Sequence, residues 1–246
     1  MRILLSGLGG HMGAEVVKLV QSGKYDMEIK AGVDPNGANY ADIPCALSFD
    51  DADADVDCIM DFSHHSATPA LLQFALKHRL PLILATTGQT EEELRMIRGA
   101  AAEIPLFFAA NYSIGIALLI ECAKIVAAAL PDAEIEIVEM HHDRKVDAPS
   151  GTALAIAGAI QEVRPELVQH SGRSGFGKRA KEEIGIHSVR IGNLAGIHEV
   201  IVSTGTQTLT LKHEAHDRAL FAEGALAAAA FLKGKPAGLY DMKSLF

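Results

Sequence analysis

The sequence predicts an α/β fold, with a parallel sheet covered by helices on both faces, followed by a second α+β domain built on an open mixed sheet. In the first half of the chain, short apolar runs alternate with helical segments, which is typical of β-α units in a parallel sheet. In the second half, several segments alternate polar and apolar residues between short turns, which is typical of strands with one exposed face.

Length and charge limit the classes of protein to which the chain can belong. Its 246 residues, 49% of them hydrophobic, are enough for one large or two modest domains with real cores. The net charge of -9 argues against a broad nucleic-acid surface, and no polybasic run indicates membrane binding. No apolar run reaches the length of about 18 residues that a membrane helix needs. We therefore expect neither a nucleic-acid nor a membrane partner.

Cys45, Cys58 and Cys122 are isolated in the sequence and follow neither a CxxC nor a Cys/His metal spacing. This usage predicts a reduced cytoplasmic protein with mostly buried thiols, no disulfide framework and no metal site.

The first predicted strand ends at "SGLGGHMG", and the apolar face of "AEVVKLVQ" then predicts a helix. Gly7, Gly9, Gly10 and Gly13 form a G-x-G-G-x-x-G pattern, one residue longer than the usual dinucleotide fingerprint. Such glycines let the backbone approach a pyrophosphate, whose charge the helix N-terminus stabilises. By itself this pattern is weak evidence.

The second predicted strand, "IKAGVD", ends in Asp34 and is followed by Pro35-Asn36-Gly37. An acidic residue at this point can bind the ribose diol of a dinucleotide. An aspartate before proline also commonly starts a turn, so that explanation of Asp34 stays open. The order strand, glycine turn, helix, strand and acid favours the ribose role.

Further strand and helix candidates alternate as far as "IPLFFAAN", which predicts a Rossmann-type parallel sheet. Ligands on such sheets bind beyond the carboxyl ends of the strands. The polar residues predicted at those ends are Ser63, His64 and His65, then Thr86-Thr87-Gly88, then Asn111 and Tyr112.

The pattern changes after Asn111, where a long apolar helix precedes the alternating strand "AEIEIVEMHH". Residues 169–183 are polar and glycine-rich and predict a long mobile loop. The last helix, "RALFAEGALAAAAFL", is apolar enough to be buried and is expected to return to the first domain. We therefore predict a dinucleotide-binding domain of residues 1–112 plus 215–246, and a substrate-binding and oligomerisation domain of residues 113–214.

The segment "EMHHDRKVDAPSGT" concentrates groups that can handle an anion and a proton together. His141 and His142 end a strand and should point to opposite faces, while Lys145 follows a turn. Ser150-Gly151-Thr152 then opens a helix, offering hydroxyls and free N–H groups to a carboxylate. A solvated turn is one alternative. A metal pair is another, but it lacks a third ligand at fixed spacing.

Four motifs together resemble the 4-hydroxy-tetrahydrodipicolinate reductases, the dihydrodipicolinate reductases of lysine and diaminopimelate biosynthesis. They are "GLGGHMG", "FAANYSIG", "EMHHDRKVDAPSGTA" and "GLYDM", and they occur in the family's order over essentially the whole chain. The third motif is highly specific for the family, whereas the glycine turn is not.

The resemblance implies a cytoplasmic homotetramer that uses NADH or NADPH to reduce a cyclic, unsaturated dicarboxylate imine, with loss of its hydroxyl as water. It implies that His141 is a proton donor or acceptor and Lys145 a proton donor. It assigns substrate contacts to His142, Gly151 and Thr152, next to the Ser150 hydroxyl. Matching cofactor contacts are Gly7, Leu8, Gly9, Gly10, His11, Met12, Asp34, Ala85, Thr86, Thr87, Ala109, Ala110, Asn111 and Tyr112.

The chain departs from relatives that prefer NADPH, which often carry an arginine in the glycine turn and a basic residue after the strand-2 acid. Here His11 and Pro35 occupy those positions, which predicts that NADH is favoured. Tyr112 stands where the family often has phenylalanine. Two alternatives remain: another two-domain NAD(P)-dependent dehydrogenase, and an NADH-sensing module without turnover.

Overall fold

The computed structural model describes all 246 residues, Met1–Phe246, and they form two compact units. Unit 1 consists of Met1–Ser113 and Arg218–Phe246, and unit 2 of Ile114–Asp217. The chain therefore leaves unit 1 once and returns to it. No helix in either unit combines the length and apolar character that crossing a bilayer requires.

Unit 1 is built on a seven-stranded sheet in which every neighbouring pair of strands is parallel. Numbered along the chain, its strands are β1 Arg2–Ser6, β2 Glu28–Val33, β3 Cys45–Ala46, β4 Cys58–Asp61, β5 Leu82–Leu84, β6 Pro105–Phe108 and β12 Gly238–Tyr240. Their spatial order is β12-β6-β5-β4-β1-β2-β3, and the predicted parallel sheet is confirmed. The sequence did not predict β3 and β12, because two or three residues are too few to show a periodic pattern.

Helices pack on both faces of this sheet. They are α1 His11–Gln21, α2 Thr68–His78, α3 Glu91–Ala100 and α6 Ala219–Leu232, with short 3-10 helices at residues 49–51, 65–67 and 242–245. Leu106 of β6 joins the apolar core that includes Leu71 of α2 and Ile97 of α3. The next residue, Phe107, points to the opposite face and contacts Phe231 of α6. Because side chains alternate along β6, this strand contributes to the apolar packing on both faces of the sheet.

Unit 2 contains a five-stranded mixed sheet flanked by helices α4 Ile114–Ala129 and α5 Gly151–Val163. Its strands are β7 Glu134–His141, β8 Val168–Ser171, β9 Glu183–Arg190, β10 Gly196–Ser203 and β11 Thr208–Ala215. The order is β11-β10-β7-β9-β8; β10 is antiparallel to β11 and β7, whereas β9 is parallel to β7 and β8. The predicted mixed sheet is therefore confirmed.

Two expectations from the sequence need correction. The loop predicted over 169–183 begins later, because residues as far as Ser171 belong to β8, where main-chain hydrogen bonds to β9 outweigh the polar composition. The thiols are not mostly buried either: Cys122 is exposed and Cys45 is half-buried. Only Cys58 is enclosed, and its burial raises the pKa of its thiol to about 12.

Candidate active site

The glycine turn of unit 1 joins β1 to α1 and has no room for a side chain at Gly7 or Gly13. Gly7 has a φ of 79°, and a Cβ there would lie 2.6 Å from the carbonyl oxygen of Phe62. A Cβ on Gly13 would lie 2.3 Å from the carbonyl oxygen of Gly7. No side chain caps the N-terminus of α1 at Gly10. The bare turn and helix start fit the pyrophosphate of a dinucleotide.

Asp34 follows β2 and lies against this turn. Its Oδ2 accepts a hydrogen bond from the Gly9 N–H at 3.0 Å, and its Oδ1 accepts one from the Asn36 N–H at 2.9 Å. The hydrogen bond from Asn36 corresponds to the turn-starting role of Asp34 that the sequence left open. The hydrogen bond from Gly9 brings the carboxylate to the glycine turn, where a ribose role would place it.

A buried carboxylate that the sequence did not single out lies at the same edge of the sheet. Asp61, the last residue of β4, is 1% exposed. It accepts hydrogen bonds of 2.6 Å from both the Ser63 and the Thr86 hydroxyl. Burial raises the pKa of Asp61, and these hydroxyls oppose the shift. The predicted cofactor residue Thr86 therefore uses its hydroxyl to brace the ends of β4 and β5, and its carbonyl accepts a hydrogen bond from the Gln89 side chain at 2.8 Å.

A cavity of about 250 Å³ opens beside these strand ends. The Tyr112 hydroxyl is not directed at a ligand, since it donates to the main-chain carbonyls of Leu84 and Phe107. Leu8 is also fully buried, so only its backbone can reach a cofactor. The cavity brings together five predicted cofactor residues and two unpredicted aromatic ones: Met12, Ala85, Ala110, Asn111, Tyr112, Phe62 and Phe221.

The remaining predicted cofactor residues also lie at this edge of the sheet. Gly9, Gly10 and His11 are exposed at the start of α1, and Thr87 is exposed beyond β5. Ala109 directly follows β6.

In unit 2, β7 positions the first catalytic candidate. The strand buries every second residue, namely Ile135, Ile137, Glu139 and His141. The two isoleucines enter the core beneath α4 and α5, whereas Glu139 and His141 extend the same inner face with polar groups. His142 lies just beyond the strand, is half-buried, and donates its N–H to the Leu194 carbonyl.

Glu139 is fully buried and is the hub of the site. Its carboxylate lies 2.5 Å from Nδ1 of His141, and it accepts bonds of 2.8 and 2.9 Å from the two terminal nitrogens of Arg190. The Ser150 N–H donates to Oε1 at 3.1 Å. Although burial opposes ionisation, the bonds from Arg190, Ser188, His141 and Ser150 lower the pKa of Glu139 to about 2. The group is therefore a carboxylate at neutral pH.

The pKa of His141 moves in the opposite direction from what a neighbouring carboxylate alone would produce. Burial lowers it, Glu139 raises it, and the positive charges of Lys145 and Arg190 lower it further. The net shift is downward, so His141 is neutral at neutral pH.

Ser150 begins α5 and links the helix to a second buried histidine. Its Oγ accepts from the Ala153 N–H, which confirms the predicted N-cap, and lies 3.2 Å from Nε2 of His198. The ring of His198 lies 5.2 Å from that of His141, edge to face. Burial lowers the pKa of His198 to about 4, and Nδ1 of the ring has no hydrogen-bond partner.

The turn after β7 carries Lys145, whose Nζ lies 2.7 Å from Oδ1 of Asp147. Arg190 donates to the Asp147 carbonyl, which ties this turn to the Glu139 hub. A cis peptide bond between Ala148 and Pro149 then leads into α5. Gly151 is exposed with open space around its Cα, and Thr152 is half-buried in the first turn of α5. The segment of residues 141–152 therefore joins a neutral histidine, an ammonium group and a helix N-terminus.

The sequence analysis did not identify three residues of this site: Glu139, Arg190 and His198. A signal for Glu139 was available, because the alternation of β7 continues inward from Ile137 to position 139. A carboxylate on a buried face needs a partner. The partners lie on β9 and β10, and only the sheet register pairs Arg190 with His141 and His198 with Glu139.

Comparison with known proteins identifies one family over both units. The model of the dihydrodipicolinate reductase N-terminus matches residues 1–112, and that of the C-terminus matches residues 115–246. A 4-hydroxy-tetrahydrodipicolinate reductase of Clostridium tetani is 41% identical over 98% of this chain and 95% of its own length. One from Caldanaerobacter subterraneus subsp. tengcongensis is 43% identical over 100% and 98% of the two chains.

Solved structures agree with this assignment. A dipicolinate-bound dihydrodipicolinate reductase from Paenisporosarcina sp. TG-14 superposes with a TM-score of 0.82 at 27% identity, covering 98% of this chain and 97% of that one. An aspartate dehydrogenase from Thermotoga maritima, at 15% identity and a TM-score of 0.54, covers 96% and 98% and shares the fold alone. The chain belongs to the dihydrodipicolinate reductase family.

Proposed function

We propose that the chain is an NAD(P)H-dependent oxidoreductase that reduces 4-hydroxy-tetrahydrodipicolinate to tetrahydrodipicolinate with loss of water, in lysine and diaminopimelate biosynthesis. The observation that supports this most directly is the segment of residues 141–152, where His141, the Lys145 ammonium and the N-terminus of α5 follow one another. A helix N-terminus attracts carboxylates, and the substrate carries two. Neither another dehydrogenase reaction nor NADH sensing requires this combination.

In the reaction the hydroxyl of the substrate leaves as water together with a proton lost from the substrate itself, and a hydride and one other proton are added, so the net reaction consumes one hydride and one proton. A bound NADH or NADPH supplies the hydride. Lys145 donates a proton from its ammonium group, which the carboxylate of Asp147 holds in place at 2.7 Å. His141 is neutral and bonded through Nδ1 to Glu139, so its Nε2 accepts or relays a proton. His142, Ser150, Gly151 and Thr152 bind the carboxylates.

Turnover tests this proposal. The substrate is generated in place by a synthase from pyruvate and aspartate semialdehyde, and the loss of NADH or NADPH absorbance is followed. Pyridine-2,6-dicarboxylate should inhibit the reaction and raise the Tm of the protein. Absence of turnover with either nucleotide, despite nucleotide binding, would contradict the proposed function and favour the sensing module.

Replacing the proposed proton donor sharpens this test. Lys145→Ala should lower kcat about 100-fold, which is typical of a lost general acid, and leave NADH affinity unchanged. Lys181→Ala is the matched control, because Lys181 also pairs with an aspartate, Asp132, at 3.2 Å, but both side chains are exposed. Equal turnover of the two variants would remove Lys145 from the mechanism.

The proposal extends to a preference for NADH. Asp34 is 7% exposed and lies against the glycine turn, and the next residue is the uncharged Pro35. The 2'-phosphate of NADPH would meet this carboxylate, and like charges repel. We expect kcat/KM to be higher with NADH than with NADPH. The Asp34→Ser substitution should reduce the ratio of these two values. A large NADPH advantage for the unaltered protein would contradict this preference.

The same family membership supports a proposal for the oligomeric state and the location of the protein. We infer a cytoplasmic homotetramer, with unit 2 supplying the contacts between subunits. Sedimentation equilibrium should give four times the mass of the 26.1 kDa chain. A monomeric mass would contradict the assembly and leave the proposed reaction untouched.

A further inference from the structure

We propose that Glu139 is the positioning residue of this site: its carboxylate fixes the Nδ1–H tautomer of His141, so that Nε2 presents its lone pair to the substrate. The inference rests on the proposed function for the identity of the reaction. The tautomer itself is a property of the protein and can be measured without turnover.

The hydrogen-bond geometry determines the tautomer. An ionised carboxylate can only accept hydrogen bonds. Glu139 lies 2.5 Å from Nδ1 of His141, so Nδ1 must carry the proton of a neutral ring. Nε2 is left with a lone pair. Gly196 lies next to that atom, and a Cβ at this position would come within 3.1 Å of Nε2, so the glycine keeps this space free of a side chain.

Because of Arg190, Glu139 can hold His141 in the Nδ1–H tautomer without repelling an anionic substrate. A bare buried carboxylate would raise the pKa of His141 and oppose the binding of a dicarboxylate. Both terminal nitrogens of Arg190 engage the two oxygens of Glu139, which neutralises the charge in a bidentate pair.

The same carboxylate also sets the spacing of the other functional groups. Oε1 accepts from the Ser150 N–H, which fixes the start of α5. Arg190 donates to the Asp147 carbonyl in the turn that carries Lys145. One buried group therefore aligns the histidine, the lysine turn and the helix N-terminus.

The chain contains a matched control for this cluster. On the opposite face of β7, Glu136 accepts from Nε of Arg179 at 2.9 Å and lies 2.8 Å from Nε2 of His187. The cluster has the same three residue types, but its glutamate and histidine are more exposed, whereas the two arginines are about equally buried. Disruption of it should affect stability without affecting the chemistry.

The experiment compares Glu139→Gln with Glu136→Gln. The Glu139 variant should lose about 100-fold or more in kcat, as expected when the group orienting a catalytic histidine is neutralised. Binding of NADH should be unchanged. NMR of the ring nitrogens should show Nδ1–H for His141 in the unaltered protein and a tautomer mixture in the variant. Glu136→Gln should keep kcat within about twofold.

A double variant separates positioning from stability. Glu139→Gln alone leaves Arg190 without its charge partner, which can itself unfold the protein. Glu139→Gln with Arg190→Gln removes both charges and should restore much of the Tm while kcat stays low. If kcat recovers with the Tm, Glu139 has only a structural role and the inference fails.

Two results would overturn the inference directly. One is full turnover by Glu139→Gln, and the other is an Nε2–H tautomer of His141 in the unaltered protein. Failure of the proposed function looks different: the unaltered protein would not turn over the substrate, while the His141 tautomer would still read Nδ1–H.

Discussion

Two Glu-His-Arg clusters lie on opposite faces of one strand, β7, and differ mainly in the burial of the glutamate and the histidine. We call Glu139, His141 and Arg190 the inner cluster, and Glu136, His187 and Arg179 the outer cluster. The side chain of Glu139 is 0% exposed, against 28% for Glu136. The corresponding histidines are 11% and 36% exposed. Residue types alone therefore do not distinguish the two clusters.

The difference shows how burial turns a common salt bridge into a functional group. Water and salt screen charges near a surface, so an exposed pair contributes little and can rearrange. Inside the protein the same pair cannot break without leaving an unpaired charge. In the inner cluster this rigidity fixes the tautomer of His141. Against the effect of burial, the hydrogen bonds that Glu139 accepts lower its pKa to about 2. The outer cluster is expected to contribute only to stability.

The largest effect should come from replacing the histidine of the inner cluster. His141→Gln should lower kcat by about 100-fold to 1,000-fold, the range of a lost acid-base group, with NADH affinity unchanged. His187→Gln removes the equivalent ring of the outer cluster and should keep kcat within about twofold. Steady-state kinetics with the in-place substrate measures both. Comparable losses would mean that burial does not separate the clusters.

The next effect concerns pH and stability. Folded His198 has a pKa of about 4, whereas its ordinary value is 6.5. Between these values the unfolded chain binds a proton that the folded protein excludes, so stability falls as pH falls through this window. The loss should be about 3 kcal/mol at most.

Denaturant unfolding at several pH values measures this dependence. His198→Gln should flatten it between pH 6.5 and about 4, the window of the lowered pKa. His187→Gln on the outer face is the control and should retain it. An unchanged slope in the His198 variant would contradict the assignment of a neutral, buried ring.

A pair of glycines gives a smaller effect. Gly196 faces the inner cluster, and a Cβ there would lie 3.1 Å from Nε2 of His141. Gly185 faces the outer cluster, and a Cβ there would displace the carboxylate of Glu136. Gly196→Ala should lower kcat about tenfold by displacing the ring, roughly the 1.4 kcal/mol of a mispositioned group. Gly185→Ala should lower only the Tm. A loss of kcat in that variant would contradict the expectation that the outer cluster contributes only to stability.

The smallest effect should come from the outer carboxylate itself. Glu136→Gln weakens bonds to Arg179 and His187 that are partly open to water. The free energy of unfolding should fall by about 1 kcal/mol or less, as for other surface pairs. Equilibrium unfolding in urea measures it. A loss of several kcal/mol would mean that the outer cluster is as tightly coupled as the inner one.

Much of the fold could be predicted because it depends on local patterns. The apolar runs of unit 1 and the alternation of β7 are visible over a few residues each. So is the Ser150 cap, since a hydroxyl before an apolar helical segment is a local signal. Two- and three-residue strands such as β3 and β12 carry no such signal.

The candidate site was only half predictable, because its parts are distant in the chain. His141 and Lys145 were proposed from a short motif. Their orientation depends on Arg190, which is 51 residues from Glu139 in sequence, and on His198, which is 48 residues from Ser150. No local rule says that β9 and β10 flank β7 in this register. The alternation of β7 could have identified Glu139 as buried, but not its partners.

The spacing of Glu136 and Glu139 along β7 has a consequence for insertions and deletions. They are three residues apart, an odd number, so they face opposite sides of the sheet. Deleting one residue between them would leave an even spacing and bring both carboxylates to the same face. The inner face would then have either two acids or none. The length of this strand is therefore as much a part of the active site as its histidine.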